Sequence, residues 1–350
     1  MEYPVAGLMS GTSGDGLDVA LCSFSCDKGN WSSQIRFAVT VPFPEDIRLK
    51  LTEAHRVPGA DLIKSDIAFG AWCGDQVRKL CLRHHFVPVL VASHGHTVFH
   101  KPEEGLTLQI GHGGALACRC GFPVVYDFRT ADVAMGGQGA PLVPVGDHLL
   151  FSGFSACLNI GGIANVSFVR DTSRVAFDVV PVNMVLNALS GRIQRPYDAE
   201  GSVAASGSLI PELLVKLNNL PYYNQPMPKS LAREWVEAEV MPLLDDHFPV
   251  SDLLHTYTVH AAQQIAGSLE DQPGATVLIT GGGAYNRFLI DQVSRLTRAK
   301  LILPDPEIIE FKEALVFAFL GLLRWRGEIN VYKTVTGATV DHCAGSVVLP

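Results

Sequence analysis

The chain has 350 residues, 47% hydrophobic and 18% charged, which is enough for two domains with ample core. Its formal net charge of −8 excludes nonspecific nucleic-acid binding, which needs a basic face to displace counterions from phosphate. No apolar run approaches the roughly 18 residues of a membrane span, and MEYPVAGLMSG lacks the basic and apolar regions of a secretory leader, so a cytoplasmic protein without membrane contact is expected.

In chain order, GLMSGTSGDGLDVALC (7–22) reads as two strands, over 3–9 and 16–24, reversed at a glycine-rich turn, with Leu17, Val19 and Leu21 on one side. A helix is predicted over 62–84, with Ile63, Ile67, Ala71, Gly74, Val77 and Cys81 in one stripe. A buried strand over 89–92 ends in the polar turn SHGHT. Next come a short strand at TLQIG, a helix of small residues, and a strand over 124–128, before a loop carrying Gly136-Gly137-Gln138-Gly139.

The second half repeats this grammar. LNIGGIANVSFV (158–169) is a second glycine hairpin, followed by a strand over 175–179 and helices over 183–189, 210–220 and 252–269. The last of these has Leu254, Thr258, Ala261, Ile265 and Leu269 in phase, and Ser251 as its expected cap. A strand over 276–280 runs into Gly281-Gly282-Gly283, then a helix over 287–296. The Pro-rich stretch 221–234 lacks periodicity and is expected on the surface or toward a ligand. PVLVASHGHT and ATVLITGGGA look like corresponding elements of two similar halves, which predicts a pseudo-duplicated α/β protein with its ligand cleft between them.

Hairpins of Gly, Ser and Thr let backbone N–H groups approach phosphate, because glycine has no Cβ and tolerates positive φ. Either hairpin alone is equally a plain tight turn. Asp15 and Asp18 are candidates to hold Mg²⁺ through water, with a turn or capping role as the alternative. His94 and His96 have no third metal ligand at fixed spacing, so lining a site or bonding backbone is the expected role. Eight cysteines with no CxxC pair read as reduced, small hydrophobes.

The blocks GLMSGTSGDGLDVAL, SHGHTVFHKP, TLQIG, DFRTADVAMGGQGAPLVP, LNIGGIANVS, FDVVPVN, DAEGSVAASG, PKSLARE, GGGAYN, EALVFAFL and VTGA follow in this order over about residues 5–348. In that set and order the chain resembles the 1,6-anhydro-N-acetylmuramic acid kinases of the actin, sugar kinase and heat-shock ATPase superfamily. The resemblance implies an α/β fold of two similar ribonuclease-H-like domains, with mixed sheets and helices, around a nucleotide cleft. One lobe is expected over 1–133 plus about 338–350, the other over 134–337. It also implies a homodimer and small-molecule substrates only: ATP with Mg²⁺, and a sugar whose anhydro ring is opened by water before O6 is phosphorylated; the two-lobed reading itself predicts closure of the lobes on ATP.

Carried onto this sequence, Gly11, Thr12, Ser13, Gly14, Asp15, Gly16 and Asp18 match the first phosphate loop, Gly161 and Gly162 the second, and Gly281, Gly282 and Gly283 the adenosine turn. Asp178 matches the carboxylate that deprotonates water; read alone, it is equally a strand-end cap. Glu313, opening the EALVFAFL segment, matches a carboxylate facing the site, the alternative being a helix-start residue complementing the macrodipole. His94, His96, Arg129, Asp132 and Gln138 look like sugar contacts. Arg129 suits a bidentate grip on the lactyl carboxylate, against an alternative salt bridge to Asp127 or Asp132. Lys229, Ser230 and Arg233 form a polar wall or a solvated surface.

The chain departs from the family's F-D-T-G-P-G-N with Val179, Val180 and Val182, has Asn187 where an Asp is usual, His96 where Gln is usual, and Gly14 for a bulkier residue. The valines are expected to narrow the sugar pocket. Two other readings therefore stand beside the anhydro-sugar kinase: a kinase of the same fold for another sugar, and an ATP-binding regulator without chemistry.

Overall fold

The structure is a computed structural model describing residues 1–11, 16–171, 173–227, 229–270 and 274–350. The chain divides into two compact units, Met1–Phe151 with Phe311–Pro350, and Ser152–Glu310.

Unit 1 opens with an antiparallel meander of β1 (Glu2–Ser10), β2 (Gly16–Asp27) and β3 (Asn30–Pro42). Helices α1 (Glu45–Glu53) and α2 (Gly59–Arg83) lead to β4 (Leu90–Ser93), which pairs parallel with β1. The hairpin of β5 (His96–Lys101) and β6 (Leu106–Ile110), then α3 (Gly113–Cys120), lead to β7 (Val124–Tyr126), parallel to β4. Short helices α4 (Thr130–Ala134) and α5 (Val143–Leu150) follow.

Unit 2 begins with a second antiparallel meander, β8 (Ala156–Ile160), β9 (Ile163–Arg170) and β10 (Ser173–Pro181). The α-helices that come next among the described residues are α6 (Asn183–Gly191), α7 (Ser202–Ser206), α8 (Pro211–Asn218), α9 (Arg233–Trp235) and α10 (Val250–Ser268). Then β11 (Thr276–Thr280) pairs parallel with β8, and after α11 (Arg287–Leu296), β12 (Lys300–Ile302) pairs parallel with β11. Helix α12 (Pro306–Arg326) brings the chain back to unit 1, which α13 (Lys333–Thr336) and β13 (Ser346–Val348, antiparallel to β7) complete.

The sheet orders are β13-β7-β4-β1-β2-β3 and β10-β9-β8-β11-β12. Among the described residues each sheet has a three-stranded antiparallel meander with two parallel strands added beside the first, and unit 1 adds β13 antiparallel at its edge. This is the internal repeat expected from the sequence, and β4 and β11, the two strands matched there, hold equivalent places.

In unit 1, Ala6, Leu8, Leu17, Val19 and Leu21 pack with α1, α2 and α3 on one sheet face. The other face receives α12, whose residues Ala314 to Leu320 are buried on every side. The approach is close enough that a Cβ on Gly7 would lie 2.0 Å from the Ala314 carbonyl oxygen. Unit 2 has its own core, joining β8, β9 and β11 to α6, α8, α10 and α11.

Several expectations are corrected. The 134–151 segment and residues 311–337 belong to unit 1, because α5 and α12 are tied by the buried Lys312–Asp147 pair at 2.6 Å. On α2, Ile63 and Ile67 are exposed; the buried face is Ser65, Phe69, Gly70, Cys73, Gly74, Val77 and Cys81. The reason is the G-x-x-x-G spacing: Cβ atoms on Gly70 and Gly74 would sit 2.5 Å from the His112 and 2.6 Å from the Leu116 carbonyl oxygens, so α3 packs on that face. The N-cap of α10 is Pro249, leaving Ser251 inside the helix. Glu313 lies two turns into α12, so the macrodipole alternative does not apply to it.

Candidate active site

In unit 2 the turn Gly161–Gly162 joins β8 to β9, and Gly281–Gly283 follows β11, the parallel neighbour of β8. Both turns therefore lie at the same end of adjacent strands, where open α/β sheets bind ligands. The first turn of α6 abuts them: Asn183 N donates to the Gly161 carbonyl at 3.2 Å, and Met184 N to that of Gly162 at 3.2 Å.

The glycines divide by what a side chain would meet. At Gly281 (φ 81°, ψ 162°) a Cβ would lie 2.6 Å from Asn159 Oδ1, and at Gly283 2.2 Å from Ile160 Cγ2. At Gly161, Gly162 and Gly282 the nearest atoms are 3.6, 3.9 and 3.8 Å away, so protein packing does not explain glycine there. Gly282 lines a cavity of about 550 Å³ with Asn183, Leu186, Asn187, Tyr197, Asp198, Ala199, Glu200, Tyr285 and Asn286, a volume suited to a nucleoside.

Asp178 is on β10 at a bulge between Asp178 and Val180. It is half-buried; Oδ2 accepts the Leu231 N–H at 2.9 Å, and the backbone carbonyl accepts the Tyr222 hydroxyl at 2.6 Å. Burial raises its pKa from the ordinary carboxylate value, and the Leu231 N–H opposes that shift. Lys229 donates to the Tyr222 and Tyr223 carbonyls at 3.1 Å each.

The three valines do not narrow a pocket. Val179, Val180 and Val182 are 4%, 0% and 0% exposed and belong to the core of unit 2. Asn187, the other departure, lines the cavity beside Gly282.

In unit 1, Thr12, Ser13, Gly14 and Asp15 lie outside the described residues. Gly11 follows β1, and Gly16 opens β2 where a Cβ would come 2.6 Å from the Val41 carbonyl oxygen, so packing against β3 alone requires that glycine. Asp18 accepts a hydrogen bond from Thr40 Oγ1 at 2.6 Å.

His94 and Arg129 stand at the ends of parallel neighbours β4 and β7. His94 Nδ1 bonds the Gly95 carbonyl at 2.9 Å, which requires the proton on Nδ1; Nε2 then accepts from Arg129 Nε at 3.1 Å and Nη2 at 2.7 Å. Burial, with the Arg129 charge beside it, holds His94 neutral, its pKa well below the usual value. Arg129 Nη1 donates to the Gly139 carbonyl at 2.6 Å, so neither carboxylate named as its alternative partner is what it bonds. One N–H on each terminal nitrogen is left for a ligand. Burial lowers the Arg129 pKa to about 10, against the pull of Glu313 and Asp132.

Asp132 is withdrawn from the sugar contacts. It is 0% exposed, with Oδ2 accepting Gly139 N at 2.6 Å and Oδ1 accepting Thr336 Oγ1 at 2.7 Å. A Cβ on Gly137 would fall 2.2 Å from Oδ2, so the GGQG loop is wrapped around this carboxylate. The Gln138 side chain is exposed, while its N–H bonds the Thr336 carbonyl at 2.8 Å. His96 shares a 2.9 Å hydrogen bond with Ser10 at the end of β1. Glu313 is half-buried; burial raises its pKa, Lys312 and Arg129 oppose the rise, and the Asp18 charge adds to it. Among the described residues no group of three or more His, Cys, Asp and Glu side chains could hold a metal ion.

The model of the anhydro-N-acetylmuramic acid kinase family matches residues 3–350. The chain belongs to this family. Proteins named anhydro-N-acetylmuramic acid kinase from Pseudomonas putida, Francisella tularensis subsp. novicida and Bacillus cereus (strain AH187) are 36%, 32% and 32% identical to it, covering 97%, 97% and 99% of this chain and 98%, 97% and 99% of theirs. Among solved structures, the activator of 2-hydroxyisocaproyl-CoA dehydratase from Clostridium difficile with bound ADPNP aligns at 12% identity and a TM-score of 0.43, covering 91% of this chain and 94% of that one. The ROK hexokinase from Thermus thermophilus aligns at 12% identity and a TM-score of 0.41, covering 92% and 100%.

For this family member, sequence reasoning passed over Asn183, Tyr285, Ser10 and Tyr222. Asn183 had a signal, following the strand that carries Asp178 and opening a helix. Tyr222 had none, being 44 residues from the Asp178 carbonyl it bonds.

Proposed function

We propose that this chain is an ATP-dependent kinase that opens 1,6-anhydro-N-acetylmuramic acid with water and phosphorylates O6, giving N-acetylmuramic acid 6-phosphate in the recycling of peptidoglycan. The observation that carries the reading is the family match from residue 3 to residue 350. In the reaction, Asp178 takes a proton from water, whose oxygen attacks the anomeric carbon. The bond from that carbon to O6 breaks, and O6 attacks the γ-phosphorus of ATP, releasing ADP. A carboxylate is needed because neutral water is a weak nucleophile, and burial makes the half-buried Asp178 more basic than an ordinary carboxylate.

Gly161 and Gly162 would hold phosphates by their backbone N–H groups, and the cavity beside Gly282 would hold the nucleoside. Arg129, whose hydrogen bonds to His94 and Gly139 leave one N–H on each terminal nitrogen, would grip the lactyl carboxylate. Phosphoryl transfer from ATP requires Mg²⁺ to offset phosphate charge. Among the described residues no group of three or more His, Cys, Asp and Glu side chains could hold that ion directly, so Asp18 would meet it through water.

The test is ADP release with Mg-ATP and either the anhydro sugar or plain N-acetylmuramic acid, for wild type and Asp178→Asn. Wild type should act on the anhydro sugar. Asp178→Asn should be folded, bind nucleotide, and be slower by about 10²–10⁴-fold. ADP with neither sugar refutes the reading; ADP with the plain sugar alone refutes the hydrolytic step and assigns a kinase of the same fold for another sugar.

A further inference from the structure

Asp178 is held on three sides by one segment of unit 2. Its N–H donates to the Lys229 carbonyl at 3.0 Å, its own carbonyl accepts the Tyr222 hydroxyl at 2.6 Å, and Oδ2 accepts the Leu231 N–H at 2.9 Å. Among the described residues no hydrogen bond reaches Oδ1. β10 is the edge strand of its sheet, so the backbone N–H and C=O that Asp178 turns away from β9 take partners outside the sheet.

The segment is itself braced. Lys229 Nζ donates to the carbonyls of Tyr222 and Tyr223, closing a ring from residue 222 to residue 229, and sits 4.6 Å from the centroid of the Tyr222 ring. Tyr222 is 3% exposed and packs at 5.3 Å on Trp235. Tyr223 bonds His260 Nε2 at 3.0 Å, and His260 Nδ1 bonds Asn218 Oδ1 at 2.7 Å, which anchors the ring to α10 and α8. Burial pushes the His260 pKa down to about 3, so this anchor is uncharged near neutral pH.

We propose that Tyr222 and Lys229 are positioning residues that clamp Asp178, occupying Oδ2 through the Leu231 N–H and aiming Oδ1 at the water to be deprotonated. This rests on Asp178 being the base, as proposed above. A carboxylate bound at one oxygen presents the other along a fixed direction, and a misplacement of about 1 Å in such a group costs about 10²-fold in rate. Tyr222 acts through the backbone of Asp178 and Lys229 through the ring it closes; neither transfers a proton.

The experiment compares wild type, Tyr222→Phe, Lys229→Met and Asp178→Asn for kcat, KM for ATP, the pH profile of kcat/KM for the anhydro sugar, and thermal unfolding. Tyr222→Phe removes one hydroxyl without changing the packed ring. The expected result is a fall in kcat of about 10–100-fold in Tyr222→Phe and Lys229→Met, with KM for ATP within about twofold of wild type. The acid limb of the profile should also move to higher pH, because a loosened Leu231 N–H no longer opposes the effect of burial on Asp178.

Unchanged kcat and acid limb in both variants, with Asp178→Asn inactive, would overturn the clamp and leave the base in place. An active Asp178→Asn would overturn both. Loss of activity only together with loss of fold, in both variants, would make the ring structural and overturn its positioning role.

Discussion

Gly281→Ala and Gly282→Ala, one residue apart, should have opposite effects. Gly281 has φ 81° and ψ 162°, a region closed to residues with a Cβ, so alanine there costs about 1–3 kcal/mol in backbone strain. Its Cβ would also meet Asn159 Oδ1 at 2.6 Å and the Ile160 carbonyl oxygen at 2.8 Å, an overlap costing about 1–3 kcal/mol more. A total of about 2–6 kcal/mol follows, each kcal/mol lowering the melting midpoint of a unit this size by about 2–4 °C. Gly282 has no such strain, and its nearest neighbour would be Asn183 Nδ2 at 3.8 Å. Alanine there should leave stability unchanged or raise it by up to about 1 kcal/mol, through loss of freedom in the unfolded chain. Its methyl group would instead enter the cavity beside Tyr285 and Asn187, so nucleotide affinity should fall at least tenfold, or about 1.4 kcal/mol. Thermal unfolding and calorimetric titration with a nonhydrolysable ATP analogue read the two effects separately. Wild-type affinity in Gly282→Ala would refute the assignment of that cavity to the nucleotide. A Gly281→Ala protein within about 0.5 kcal/mol of wild type would refute the steric argument.

Glu313→Gln should change how stability depends on pH. The carboxyl pKa is raised in the folded protein, so its protonated form is favoured by folding; that contribution is full below the unfolded value and is lost as pH rises through the folded one. The variant should therefore match wild type below about pH 4 and exceed it in thermal unfolding near neutrality; a variant less stable than wild type near pH 7 would reverse the sign of the argument. Lys312→Met removes the ammonium that lies 2.6 Å from Asp147, with both side chains 5% exposed, and should cost about 3–5 kcal/mol. Pairing it with Asp147→Leu should recover most of that loss in urea unfolding, and equal destabilisation of single and double variants would refute the pairing.

The strands and helices with a clean period were legible. The 276–280 strand and the 287–296 helix occur with the bounds read from the sequence, and the four in-phase residues within α10, with Leu269 at its C-cap, are buried. Helix α2 was placed but its face was misread, since small residues bury by backbone proximity and carry no hydrophobic signal. Strand β3 was passed over, although Ile35, Phe37, Val39 and Val41 alternate there, because its first half is polar. Helix α12 hid its length for the opposite reason, being apolar on all sides through its middle. At the site, the residue types were readable but their use was not. Asp132 was carried over as a sugar contact by the resemblance alone, whereas the GGQG loop closes on its carboxylate. Nothing local could show that the valines after Asp178 face inward.

The order in which the chain is made bears on how the two units form. Unit 2 is one uninterrupted stretch, whereas unit 1 waits for residues 311–350. During synthesis, unit 2 has its entire sequence outside the ribosome while unit 1 still lacks the helix that covers Val5, Phe24 and Ala92. Nascent unit 1 therefore carries an apolar sheet face for the time taken to translate the middle of the gene, an interval in which chaperones have something to hold.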